Sequence, residues 1–384
     1  MEISTLMFAL LRYEIKGTEL SEDVKNLIDE KKLKELYKLS KRHDLAHLIA
    51  DALKKNGVFS QTTEAEKRFA QERNLAIFRV EQIQYEFEII CQTLEEEKIP
   101  FLPLKGAKMR EFYPETWMRT SCDIDILVQQ EDLEKAKNCL KRKLSYEMGE
   151  QCSHDVSFFA PSGIHLELHF SLVESDSLWK EILIGVWEKR ADGKEYQYEM
   201  SNEFFYLYHL IHMGIHMRTG GCGVRTLLDF YILNKKMEFD EEKTERLLEN
   251  AKLLKFENAV RKLADCWFDE KEKDALTCAL EEYILLGGVY GTTSNRIAVQ
   301  QSKKGGKAAY LFSRVFVSYK ELSIKYPSLE KNKWLFPFYQ IYRWFDLFFH
   351  KESRERVEKE IHHTYEIKEE TIANTEQLFH KLDL

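Results

Sequence analysis

The residues best suited to chemistry are two aspartates on one apolar run, Asp123-Ile-Asp125 within Cys122-Asp-Ile-Asp-Ile-Leu-Val128. The run reads as a strand, where aspartate is disfavoured. At i and i+2 the two carboxylates share one face, while Ile124, Ile126 and Val128 turn to the other. Carboxylates a few ångströms apart repel each other, so the pattern calls for a compensating charge. Mg²⁺ (or Mn²⁺) suits it, because such an ion takes one or two carboxylates and fills its shell with water and phosphate oxygens. A lone D-x-D also occurs in ordinary solvated turns, so neighbouring features must decide.

Two features bear on it. In His165-Leu-Glu-Leu-His169 the polar residues 165, 167 and 169 share one strand face, opposite Ile164, Leu166, Leu168 and Phe170. Glu167 can supply a third carboxylate, and three carboxylates holding two metals suit an in-line phosphoryl displacement. Upstream, Lys105-Gly106 precedes a predicted helix from Ala107 to Phe112. Glycine at that point lets backbone N–H groups approach a phosphate, and a helix start favours an anion. Lys105 and Arg119 add cationic contacts for a polyphosphate. Each feature alone has an ordinary reading as surface or turn; all three fall in order within one α/β stretch.

The rest of the chain must hold that stretch in place. At 384 residues it is too long for one core and implies two or three domains. Only 6 Pro and 16 Gly argue for long helices. Residues 1–95 read as a helical region, 96–200 as an α/β core and 201–384 as a helical domain, giving an α+β, mostly helical fold. In the core the patterns predict a short strand over 99–105, the D-x-D strand, a helix over 131–142, a hairpin of 156–160 with 163–170, and a strand candidate at 195–200. Helices are expected at 204–217, 224–235 and 241–254, and Ser60 to Thr63 reads as a cap before a charged helix. The aromatic segment Trp334–Phe349 reads as a core or domain-packing helix, with a membrane-surface or partner-binding role as the alternative.

Charge narrows the class. Lys and Arg total 57 against 65 Asp and Glu, a formal net charge of −8, which is the wrong sign for a protein that coats nucleic acid. The basic loop Lys303-Lys-Gly-Gly-Lys307 is either a solvated turn or a local RNA contact. Seven cysteines, odd in number and without CxxC, imply free thiols. The first residues, MEISTLMFALLRYEIKG, lack the basic start and cleavage site of a secretory leader, and no long uncharged apolar run exists. The expected location is cytoplasmic.

His209, His212 and His216 share one helix face. His212 and His216 have the i, i+4 spacing of zinc ligands, but residue 213 is Met rather than the glutamate of a zinc hydrolase. Three readings follow: a histidine-based metal hydrolase, histidines bonded at an interface, or histidines contacting phosphate or acceptor in a cleft. Arg225 and Asp229 form an i, i+4 pair that either touches a nucleotide, clamps the histidine helix or is a plain helix salt bridge.

The ordered set Leu104-Lys-Gly106, Tyr113-Pro114, Arg119-Thr-Ser-Cys-Asp-Ile-Asp-Ile-Leu-Val128 and Leu166-Glu-Leu-His169 resembles the nucleotidyltransferase superfamily with the DNA polymerase β-like catalytic fold. More closely, it resembles the bacterial family of uncharacterised nucleotidyltransferases. Downstream, His212-x3-His216, Gly223-Val-Arg225, Asp229, Gly287-Gly-Val-Tyr-Gly291 and Lys325-Tyr-Pro327 also fit, so the likeness spans about 95–345. The sequence departs from the wider superfamily in having Gly106-Ala107 where Gly-Gly or Gly-Ser is usual, and in a longer gap from the glycine to the D-x-D.

The resemblance implies a small mixed-sheet nucleotidyltransferase core flanked by helical regions. It implies that Asp123 and Asp125 bind two Mg²⁺, with Glu167 as the third acid. Lys105, Gly106, Arg119, Ser121, His212, His216, Arg225 and Asp229 become the nucleotide-binding candidates. The implied reaction moves a nucleoside monophosphate from an NTP, ATP by default, to a hydroxyl on a protein, peptide, tRNA or small molecule. The competing reading on the same fold is a non-catalytic nucleotide-binding module.

Overall fold

The computed structural model describes residues 2–58, 63–174, 177–187, 189–191, 193–289, 291–326, 328–349 and 351–384. Two compact units make up the chain: Met1–Gly214 with Gly223–Thr277, and Ile215–Cys222 with Cys278–Leu384. The fold is α+β and mostly helical.

The sheet of the first unit is where period-2 patterning meets helical patterning. Its strands are β1 (Phe101–Pro103), β2 (Asp123–Val128), β3 (Glu147–Gln151), β4 (Asp155–Phe159) and β5 (His165–His169), in the spatial order β1-β2-β5-β4-β3. Only β2 and β5 pair in parallel; the other neighbours are antiparallel, so the sheet is mixed. Ile124, Ile126 and Val128 of β2 and Leu166 and Leu168 of β5 are buried in one cluster. Ile83, Ile90 and Leu94 of the Glu64–Glu96 helix and Ala136 and Leu140 of the Leu133–Lys143 helix belong to that cluster too. One sheet face is thus sealed by helices, and alternation leaves the acids on the other.

The 33-residue Glu64–Glu96 helix starts on a capping box, with Thr63 and Glu66 bonding each other's backbone N–H. Residues 60–62 of the expected cap lie outside the described residues. The helix expected over 107–112 spans Lys105–Arg110, so Gly106 is its second residue and not part of a preceding turn. A Cβ at Gly106 would meet Ser121 Oγ at 3.7 Å, ordinary contact, so crowding does not demand glycine there.

β3 is additional to the expected elements: its sequence, EMGEQ, is exposed throughout, so this edge strand carries no apolar alternation. Two further expectations need correction. The single helix expected over 241–254 is broken. Glu241–Asn250 ends where Lys252 takes a left-handed φ of 56°, and a new helix runs from Leu254 to Phe268. The strand candidate at 195–200 shrinks to Tyr198–Glu199, paired with Lys189–Arg190 in a separate ribbon.

In the second unit, two glycine clusters meet. Gly291 has φ 74°, and a Cβ on it would lie 2.3 Å from the Gly220 carbonyl. Tyr290, in the same cluster, lies outside the described residues, as does Pro327. Lys303-Lys-Gly-Gly-Lys307 is the turn between the Thr293–Lys304 and Lys307–Val315 helices, with Gly305 and Gly306 at positive φ. Lys303 bonds the Arg218 carbonyl and Lys304 bonds Ser313. The Phe336–Phe349 helix is only partly a packing helix. Tyr339 stacks on Tyr326 and Trp344 bonds the Val315 carbonyl, while Trp334, Phe338 and Phe349 stand exposed. Among the described residues no helix is long and apolar enough to cross a membrane.

Candidate active site

The parallel register places Asp123 opposite His165 and Asp125 opposite Glu167. All three expected acids therefore gather on one face at the centre of the sheet. Asp125 is buried, and Asp123 and Glu167 are half-buried. Two overlapping groups can each hold a cation: Asp123, His165 and Glu167, and Asp125, Glu167 and His169. Within each group, one ligand atom per residue lies within 4.8 Å of the others.

Two cations already answer this charge. His169 Nε2 lies 3.2 Å from Asp125 Oδ1 and 3.4 Å from Glu167 Oε2. Burial opposes a charged imidazole, but the hydrogen bonds to Asp125 and Glu167 and the Asp125 charge raise His169 to about 9. Lys105 is the second cation. Burial pushes the Asp125 carboxyl up, yet Lys105 and His169 hold it well below the usual carboxylate range. Asp123 moves the other way: burial raises it, and the Asp125 and Glu167 charges add to the rise. One carboxylate is thus locked in its charged form beside another that resists ionisation. Each group sets two carboxylates beside one imidazole; carboxylate oxygens suit Mg²⁺ or Mn²⁺, and an added cation would relieve the repulsion on Asp123.

Lys105 reaches this face because the Leu104 N–H donates to the Asp125 carbonyl at 3.0 Å, tying the helix start to β2. Lys105 Nζ lies 2.5 Å from His212 Nε2, which brings the histidine helix (Asn202–Thr219) to the acid cluster. Tyr208 of the same helix is buried, and the Asp125 and Glu167 charges join burial in raising its hydroxyl. His209 bonds the Thr226 carbonyl at 3.5 Å. His216 belongs to the second unit, where its carbonyl accepts from Gly221 N–H. Neither His212 nor His216 joins a three-residue metal-capable group among the described residues.

The arginines take other duties than the sequence suggested. The i, i+4 pair of Arg225 with Asp229 gives way to longer-range pairs. Arg119 Nε sits 2.7 and 2.9 Å from the two Asp229 oxygens, and Tyr113 Oη donates to the same carboxylate at 2.7 Å. Arg225 instead pairs with Asp44, which also accepts from Thr120 Oγ1 at 2.9 Å. Ser121 Oγ accepts from Arg110 Nη2 and donates to the Asp123 carbonyl at 3.0 Å. Arg119, Thr120 and Ser121 are therefore each pinned, and together they fix the chain entering β2.

Two residues beside the acids carry no sequence signal for that place. His169 falls on the polar face of β5, but the parallel pairing that makes it a partner of the D-x-D is not written in either strand. Tyr208 had no signal beyond helical periodicity. At the C-terminal end of β2 a cavity of about 490 Å³ is lined by Leu127, Val128, Gln129, Phe170, Ser171 and Lys180. That is the size of small-molecule sites.

A family model described as uncharacterised nucleotidyltransferase matches residues 29–269. The chain belongs to that family. No curated protein and no solved structure matches it at a significant level. The nucleotidyltransferase match takes in the sheet, the acid cluster, His212 and the Arg119–Asp229 anchor, and most of the N-terminal helices. It ends at 269, so Gly287–Gly291 and Lys325 to Pro327 fall beyond the matched residues, short of the 345 expected.

Proposed function

We propose that the chain transfers a nucleoside monophosphate from an NTP to a hydroxyl acceptor, with Asp123, Asp125 and Glu167 as the reaction centre. Family membership supports nucleotidyl transfer in general. The observation that carries the specific reading is the β2–β5 register, which sets Glu167 opposite Asp125 with Asp123 on the same face. In this reading the three carboxylates hold Mg²⁺ or Mn²⁺. Such an ion, when bound, neutralises phosphate charge and lowers the proton affinity of the acceptor hydroxyl.

The chain's own residues account for the rest. Asp125, kept ionised by Lys105 and His169, is the permanent anchor. Glu167, more open to solvent, takes the acceptor's proton as the acceptor oxygen bonds the α-phosphorus. The bond from the α-phosphorus to the bridging oxygen breaks, and pyrophosphate leaves with both electrons. In this reading Lys105 and His212, in contact beside the acid cluster, meet the negative charge of the departing phosphates. Gly106, sitting inside a short helix, contributes no separate phosphate loop. Arg119, Ser121, Arg225 and Asp229 act as positioning residues that hold the entry to β2.

The test is incubation with each α-labelled NTP, Mg²⁺ or Mn²⁺ and a cell extract. Label should appear in an acceptor with the native chain and vanish with the Asp123→Ala, Asp125→Ala double variant. Undiminished transfer by that variant refutes the assignment of the centre. Mg²⁺-dependent NTP binding with no product in any extract would instead favour the non-catalytic module.

A further inference from the structure

His169 has two ring nitrogens, and the acid cluster uses one of them. Nε2 faces Asp125 and Glu167. Nδ1 is buried and has no hydrogen-bond partner, on a residue only 6% exposed. A buried, unsatisfied imidazole nitrogen costs free energy comparable to a lost hydrogen bond, so its surroundings are informative. Antiparallel pairing of β4 with β5 puts Asp155 opposite His169. His154, one residue earlier, has its ring 5.9 Å from that of His169, and its Nε2 lies 2.9 Å from Asp155 Oδ2. His154, Asp155 and His169 each offer a ligand atom, all within 4.8 Å of one another. This group shares only His169 with the D-x-D cluster.

We propose that His154, Asp155 and His169 form a second metal site, for Zn²⁺ or a similar nitrogen-preferring divalent cation, coupled to the acid cluster through the His169 ring. The donor chemistry separates it from its neighbours: two imidazoles and one carboxylate suit zinc, whereas the groups of the acid cluster, with two carboxylates to one imidazole, lean to Mg²⁺ or Mn²⁺. A histidine that ligates through one nitrogen typically donates its other N–H to a carboxylate, which fixes tautomer and ring orientation. Asp125 stands ready as that acceptor. Tetrahedral zinc bonds of about 2.0–2.2 Å place ligand atoms roughly 3.4 Å apart, so binding requires a contraction of the group and exchange of the His154–Asp155 contact for two metal bonds. The fourth position is left to water. The site would give the chain a fixed structural cation at the rim of the reaction centre, holding His169 against Asp125 whatever the Mg²⁺ level.

The test uses the full chain, stripped with chelator and titrated with Zn²⁺ against a chromophoric competitor in excess Mg²⁺, with Co²⁺ absorption as a geometry probe. One equivalent should bind with sub-micromolar affinity and give a tetrahedral Co²⁺ spectrum. His154→Ala and His154→Gln should each weaken it by at least about tenfold, while His165→Ala leaves it in place. Far-UV circular dichroism and melting of the metal-free variants establish that they fold, and His154→Gln keeps the comparison available if His154→Ala does not. No equivalent tighter than micromolar, or unchanged affinity in a folded His154 variant, overturns the proposal. Loss on His165→Ala alone overturns it too, by moving the ion to Asp123, His165 and Glu167. The readout is metal binding, so its failure leaves the transfer reading standing, and a chain without transfer activity can still carry this site.

Discussion

Replacing Asp229 by Asn is the sharpest test of what holds the acid cluster in place. Asp229 is 1% exposed and accepts from Arg119 Nε at 2.7 and 2.9 Å and from Tyr113 Oη at 2.7 Å. Asparagine keeps the volume and one acceptor oxygen for Tyr113 but removes the charge. Arg119, 8% exposed, then keeps its guanidinium buried without its counter-ion. Burial disfavours that charge, while Asp229 is the leading influence in its favour. Removing one partner of a buried pair costs about 3–5 kcal/mol, against a typical domain stability of about 5–15 kcal/mol. Replacing both partners with apolar residues, Arg119→Met with Asp229→Leu, removes the stranded charge and should recover most of the loss. Urea denaturation of the three proteins measures this, with an unchanged m-value showing that the midpoint shift is stability. A cost for Asp229→Asn below about 1 kcal/mol, or a double variant no better than the single one, would refute the reasoning that this pair anchors the chain entering β2.

Glu14 offers a pH test. It is 6% exposed, and burial followed by the Asp51 charge raises its carboxyl to about 7 despite Lys55 nearby. Between about 4.5 and 7 the native state binds more protons than the unfolded state, so stability falls as pH rises through that window, by at most about 3 kcal/mol from this group. Glu14→Gln should flatten that slope and be more stable than the native chain at pH 8, but not at pH 4.5; parallel slopes in denaturation series would contradict this. Asp123→Asn should raise the melting temperature in chelator, because it relieves repulsion from Asp125 and Glu167, by about 2–4 °C per kcal/mol; Mg²⁺ should then stabilise the variant less than the native chain. An equal Mg²⁺ shift in both would remove Asp123 from the cation site. Gly291→Ala must displace the Gly220 backbone and adopt φ 74°, so a loss of about 2 kcal/mol or more is expected, read by limited proteolysis of the second unit; unchanged cleavage would count against the contact.

What the sequence carried, and what it did not, follows from the range of each interaction. The D-x-D strand and the hairpin ending in His169 were legible because alternation is a local signal, and the burial of Ile124, Ile126, Leu166 and Leu168 confirms the faces it assigned. Lys105, adjacent to that pattern, was legible for the same reason. The partners of Arg119 and Arg225 were not: Asp229 lies 110 residues from Arg119, and Asp44 lies 181 from Arg225. Sequence spacing suggested the nearer i, i+4 pairing, and tertiary packing overrode it. β3 was invisible because an exposed edge strand buries nothing that would leave a pattern, and the break at Lys252 because no glycine or proline marks it.

The register joining β2 to β5 also dictates when the centre can exist. The β4–β5 hairpin is closed by a short turn and can form early, as local pairings do. Asp125 and His169 are 44 residues apart in the chain, and their strands run parallel, which no tight turn can arrange. Glu167 and His169 therefore meet Asp123 and Asp125 only when β2 docks against the finished hairpin, and the repulsion of Glu167 with the two aspartates is imposed on that step. Folding in Mg²⁺ should quicken this docking step without altering hairpin formation. The first fragment of the chain to fold would carry Glu167 and His169 without Asp123 and Asp125.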